Sequence, residues 1–169
     1  MYAIVKDGAI TQTAITVQKL FPNTSFPSGP NTDFLTENNV KDVVNAEQKN
    51  RTYYYVTPGN IELVDGVPTQ KYTNTAKALN DVTEDGVTIP GLKTNITNKV
   101  KINAGQLLSR TDWMVIRKYE RDVAIPSATA TYRAAVITEC ARLESAIAGA
   151  GDVDALETIM NAQNWPEES

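Results

Sequence analysis

The apolar residues change their period once along this chain, and that change constrains the fold more than any other feature. From Thr94 onward Ile96, Val100, Ala104, Leu107 and Leu108 recur at helical spacing. A second stripe, Tyr132, Val136, Cys140, Leu143 and Ile147, follows Pro126 and Ser127, with Ser127 placed to cap it. Gly149 and Gly151 close that helix. Asp152 then opens a third, carrying Val153, Leu156, Ile159 and Met160, which Pro166 stops. Before residue 94 the pattern is short β-prone runs cut by turn residues. The expected class is α+β, with an N-terminal antiparallel β-rich half followed by a C-terminal three-helix half. The divisions are a β-rich domain over 1–75, a connector over 76–93 and a helical domain over 94–169.

Within the first half, Asp7-Gly8 separates two β-prone runs, and Asp-Gly suits a two-residue hairpin turn in which both central residues have positive φ. This predicts strands at about 2–6 and 9–14. Three prolines and a glycine in FPNTSFPSGP exclude regular structure there. Phe21, Phe26 and Phe34 lie in or beside that loop and are expected to pin it by packing. FLTENNVKDVV reads as a short helical turn or the approach to a strand. Tyr53 to Val56 is a β-rich run, with Pro58-Gly59 as a turn and Asp65-Gly66 as a second hairpin turn. Pro68 lacks an N–H, so its strand is an edge or pairs with that position free. In a strand, Tyr54 points to one face and Tyr53 and Tyr55 to the other. One set then meets solvent or a partner, so Tyr53, Tyr54 and Tyr55 join Phe21 and Phe26 as interface candidates.

Composition narrows the chemistry. At 41% hydrophobic and 21% charged residues, the 169-residue chain is globular rather than disordered. It has no histidine, which removes the commonest general base, the commonest metal ligand and every Ser-His or Cys-His pair. The single cysteine, Cys140, sits on an apolar stripe and is expected to be buried and inert. Asp112, Glu120 and Asp122 could serve as paired carboxylates, but they alternate with Arg110, Arg117, Lys118 and Arg121 and read as a solvated face of local ion pairs. Asp112 is placed to cap the turn that carries Trp113. No glycine pattern matches a phosphate-binding loop. The net charge of −4 and the lack of a basic cluster give no nucleic-acid face. No leader peptide or membrane-length apolar run is visible. The expectation is a non-enzymatic protein with no cofactor and no metal, made in the cytoplasm, with neither nucleic acid nor membrane as partner.

The segment LLSRTDWMVIRKYERDVAIPSATATYRAAV, with NWP some thirty residues later, resembles the C-terminal region of tailed-bacteriophage tail-fibre-associated proteins, tail fibre assembly proteins among them. The matching residues are Leu107, Leu108, Thr111, Asp112 and Trp113, then Thr131, Tyr132 and Arg133, then Trp165 and Pro166. The first half is similar to phage tail proteins through Met1, Tyr2, Ala3, Val5 and Gly8, through Pro22, Asn23, Ser25, Phe26 and Pro27, and through Glu62, Leu63, Val64, Asp65, Gly66 and Gln70. Here the helix after Tyr132-Arg133 is longer than in many assembly proteins, and a further helix precedes the Trp-Pro.

The resemblance implies a partner rather than a reaction. The favoured expectation is a structural component of the virion tail, in the baseplate, tail tip or fibre-attachment region, homo-oligomeric and in contact with tail or tail fibre proteins. The alternative is a non-virion chaperone for fibre assembly, and the third is a carbohydrate-binding tail module. In this reading Trp113 pins the connector between two helices into the core, with Tyr132 and Trp165 as neighbours.

Overall fold

The computed structural model describes residues 1–167; the last two residues of the expected helical domain, 168 and 169, lie outside the described residues. The fold is α+β, with eight strands and six helices among the described residues. It forms two compact units that meet in sequence at Thr75 and Ala76.

The first unit opens with β1 (Tyr2–Lys6) and β2 (Ala9–Ala14), paired antiparallel. The turn between them has positive φ at both Asp7 (51°) and Gly8 (74°), as the Asp-Gly signal requires. A short helix α1 (Val17–Leu20) follows, with the Thr16 side chain accepting from the Lys19 N–H. Residues 21–30 hold no helix or strand. Helix α2 (Thr32–Glu37) starts where Asn31 Oδ1 accepts from the Phe34 N–H at 2.8 Å. β3 (Val40–Asp42) then pairs with β1, giving the order β2-β1-β3. Ile4, Val17 and Val40 are buried, and Tyr2, Leu20, Phe21, Phe26, Phe34 and Leu35 pack on them. Phe34 takes the rings of Phe21 and Phe26 edge-on at 5.1 and 5.0 Å, which is how the proline-rich loop is held.

A second sheet has the order β4-β6-β5, from β4 (Val44–Asn45), β5 (Tyr54–Val64) and β6 (Val67–Ala76). It differs from expectation in three ways. β4 runs parallel to β6, so the β-rich half is mixed rather than purely antiparallel. Pro58-Gly59 makes no turn; β5 runs through both residues, and Gln70 Nε2 donates to the Gly59 carbonyl at 2.7 Å. Tyr53 does not alternate with Tyr54, because it sits in a turn where both tyrosine N–H groups donate to the Asn50 carbonyl. Pro68 lies in the middle strand, but the ladder to β4 starts one residue later at Thr69, so its missing N–H is free of that ladder.

The second unit begins with a hairpin, β7 (Val82–Glu84) and β8 (Val87–Ile89), inside the stretch expected to be a connector. Its turn is again Asp-Gly with positive φ, 50° at Asp85 and 79° at Gly86. Four helices follow rather than three: α3 (Leu92–Ser109), α4 (Asp112–Arg121), α5 (Ser127–Gly149) and α6 (Val153–Asn161). α3 packs on α5 and α6 packs on α5. The core holds Ile96, Val100 and Ala104 from α3, Val136, Leu143 and Ile147 from α5, and Val153 and Leu156 from α6. Asp152 caps α6 as expected, accepting from the Ala155 N–H at 2.7 Å. Ser127 does not cap α5; Pro126 holds the cap position with extended backbone, and Ser127 is the first helical residue. α6 ends at Asn161, where the Ala162 N–H reaches the carbonyls of Thr158 and Ile159, so Pro166 does not stop it.

Candidate interaction surface

α4 was not anticipated as a helix, and among the described residues it is the one helix of the second unit with no buried residue. At 3.6 residues per turn, Trp113, Val115, Ile116 and Tyr119 fall on one arc with Asp112 and Glu120 between them, and Arg117, Lys118 and Arg121 on the other. Such a pattern ordinarily packs its apolar arc on a core. Here Trp113 is 52% exposed, Ile116 57% and Tyr119 93%. Trp113 is therefore not a core residue, which corrects the expectation that it packs with Tyr132 and Trp165. Its ring is covered in part by the Arg117 guanidinium, 4.8 Å from the ring centroid. Lys118 pairs with Asp122, whose φ of 49° ends the helix in a left-handed residue.

The remaining residues of the family-like motif do meet. Arg133 on α5 donates from Nη1 to the Leu108 carbonyl at 2.9 Å and to the Thr111 hydroxyl at 2.7 Å. Its Nη2 pairs with Asp112 at 2.9 Å. Asp112 thus anchors the first turn of α4 to α5 instead of capping it. Beneath this clamp, Tyr132 is buried with Ala104 and Val136, and Leu107, Leu108, Cys140 and Trp165 pack on them. Pro166 is half-buried. The motif is a joint that fixes how α4 leaves α3.

A second clamp lies on α5, at residues the sequence reading did not single out. Glu139 lies on the buried stripe of α5 at 7% exposure. It takes both guanidinium bonds of Arg142 at 2.7 Å, and its Oε1 accepts the Asn164 N–H at 2.7 Å. Arg142 also donates to the Ala162 carbonyl at 3.1 Å. The pair holds the segment after α6 against α5. The hydrogen bonds from Arg142 keep the Glu139 carboxyl below its ordinary range, against the opposing effect of burial. An acid at an apolar-stripe position whose neighbour three residues on is Arg was the available signal.

Of the other candidates, Tyr53 and Tyr54 are buried and only Tyr55 is exposed, at 63%. Lys49 stands 4.4 Å from the Tyr54 ring centroid and donates to its hydroxyl at 3.1 Å. Phe21 and Phe26 are half-buried in the first unit's core. Cys140 is half-buried, and burial together with its bond to Glu144 pushes its thiol up. Among the described residues no group of three or more acidic or cysteine side chains could hold a metal ion, and no helix is long and apolar enough to cross a membrane. Comparison of the chain with protein-family models, with curated proteins and with solved structures gave no match.

Proposed function

We propose that this chain is a structural protein of a bacteriophage tail that works through protein–protein contacts, placed in the baseplate, tail tip or fibre-attachment region. The observation that carries the reading is the apolar face of α4, left open while α3, α5 and α6 bury residues of theirs. An exposed helical arc with Trp113, Tyr119 and aliphatic side chains, its tryptophan stacked by Arg117, has residue types enriched at protein interfaces. The clamp of Arg133 on Leu108, Thr111 and Asp112 presents that face from a rigid base. The resemblance to tail-fibre-associated proteins names the class of partner, and its residues form the clamp. The surface is also suited to transient capture of a fibre, which is the chaperone reading.

Immunogold electron microscopy of gradient-banded particles from the phage that encodes the chain separates the two. Label on tails is the expected result. Particles without label, from cells in which the chain is abundant, would replace the tail component with the chaperone.

A further inference from the structure

A cleft of about 610 Å³ lies in the second unit, where three elements converge. The base of the β7–β8 hairpin supplies Asn80 and Asp81. The first two turns of α3 supply Lys93, Thr94, Thr97 and Asn98, and the last turn of α5 supplies Ala148. The hairpin base crosses the start of α3 so closely that Gly91 has no room for a Cβ beside the Asn80 backbone. The cleft shares no residue with the α4 face or with either clamp. Its volume falls within the range of about 300–1,000 Å³ usual for small-molecule sites.

Both charges on its walls are fixed by the fold. Asp81 Oδ1 accepts from the Thr94 hydroxyl at 2.6 Å and from the Gly91 N–H at 2.8 Å. These bonds hold its carboxyl below the ordinary range, and the acid stands at the N-terminus of α3, where the helix dipole favours it. Lys93 Nζ donates to the Ala148 carbonyl at 2.9 Å. That carbonyl is in the last turn of α5, where the dipole favours a cation. Each charge is thus balanced by a helix end rather than by the other. A free cation entering the cleft would meet Lys93, and a free anion would meet Asp81, so neither is suited to it.

What the cleft has to spare is hydrogen-bonding capacity. Among the described residues Asp81 Oδ2, the side-chain amides of Asn80 and Asn98 and the Thr97 hydroxyl make no hydrogen bond. An amide offers donors and an acceptor, a hydroxyl both, and a carboxylate oxygen accepts only. Such a mixed and nearly neutral array is matched by hydroxyls, each of which gives one bond and takes others. We infer that the cleft binds a neutral, hydroxyl-rich ligand, a mono- or disaccharide. Asp81 Oδ2 accepts from its hydroxyls on the hairpin side, and Thr97 and Asn98 bond it from α3. None of the lining residues is aromatic, so no ring stacks on the sugar, and the dissociation constant is expected on the order of 1–10 mM. The site does not depend on the tail reading, and its test uses no particles.

The experiment is amide NMR of the full chain titrated with D-glucose, D-galactose and N-acetyl-D-glucosamine to about 50 mM, with glycine and sodium sulfate as charged controls. At least one sugar is expected to shift the amides of Asn80, Asp81 and residues 93–98 in a saturable way and to leave those of α4 in place. Thr97→Val and Asn98→Ala, which break no bond within the protein, should each weaken binding about tenfold without altering the circular dichroism. No saturable shift with any of the three sugars overturns the inference. So does binding that Thr97→Val and Asn98→Ala leave unchanged. Glycine or sulfate saturating the same amides would overturn it as well, by giving the cleft to a charged ligand.

Discussion

The Arg133 guanidinium donates to the Thr111 hydroxyl at 2.7 Å across 22 residues of sequence, and Thr111 is 5% exposed. This bond, with those to the Leu108 carbonyl and the Asp112 carboxylate, decides where α4 begins. Replacing Arg133 by Met should cost about 2–3 kcal/mol in urea unfolding, because a buried hydroxyl and a carbonyl lose a charged donor together. Arg133→Lys should recover less than half, since an ammonium cannot span three acceptors as a planar fork does. A cost below about 0.5 kcal/mol for Arg133→Met would mean the clamp is unimportant.

Trp113→Ala should change stability by no more than about 1 kcal/mol, the scale of an exposed cation–π contact, rather than the 3–5 kcal/mol of a lost core aromatic. Acrylamide quenching gives the companion readout. Trp113, 52% exposed, should supply most of the quenchable emission, and Trp165, packed on the Tyr132 cluster, the protected remainder.

The fold class was readable because two periodicities and two Asp-Gly turns agreed with each other. The helix α4 was not, because its apolar arc covers nothing: a sequence reader assigns alternating charges to a solvated loop unless a core claims the residues between them. The same Asp-Gly signal that placed the first hairpin was present at Asp85-Gly86, flanked by Val82, Val87 and Ile89, but the polar residues around it suggested a connector. Tyr53 to Tyr55 misled for a local reason, since the turn on Asn50 takes Tyr53 out of the strand's alternation. The motif residues Asp112, Tyr132 and Arg133 proved to be neighbours, and Trp113 did not join them.

Glu139 makes stability depend on acid. Its carboxyl titrates below the ordinary 4.5 when folded, so its contribution is fully present above that pH and is lost as pH falls through the lower folded value. Asp81 and Glu144 are shifted the same way, by the Thr94 and Gly91 bonds and by the Lys101 bond. The melting temperature should therefore fall steeply below about pH 4.5. In Glu139→Gln it should start lower at pH 7 and fall less between pH 4.5 and 3.

Gly91 should tolerate no side chain. A Cβ there would lie 2.3 Å from the carbonyl carbon and oxygen of Asn80, both backbone atoms. Gly91→Ala must push that segment away and disturb the Asp81 bonds that tie the hairpin to α3. A loss of about 1–3 kcal/mol in chemical denaturation is expected, the range for overpacking. An unchanged midpoint would show that Asn80 moves freely.

A chain built into a phage tail, as proposed, must travel with the particle. Quantitative mass spectrometry of gradient-banded particles, scaled to the major tail protein, tests it most directly. The account expects a fixed copy number per particle, on the scale of a ring or of the fibre set, and less chain in particles made with Tyr119→Ser. Particles that lack the chain, from cells that produce it in quantity, would rule out a tail component.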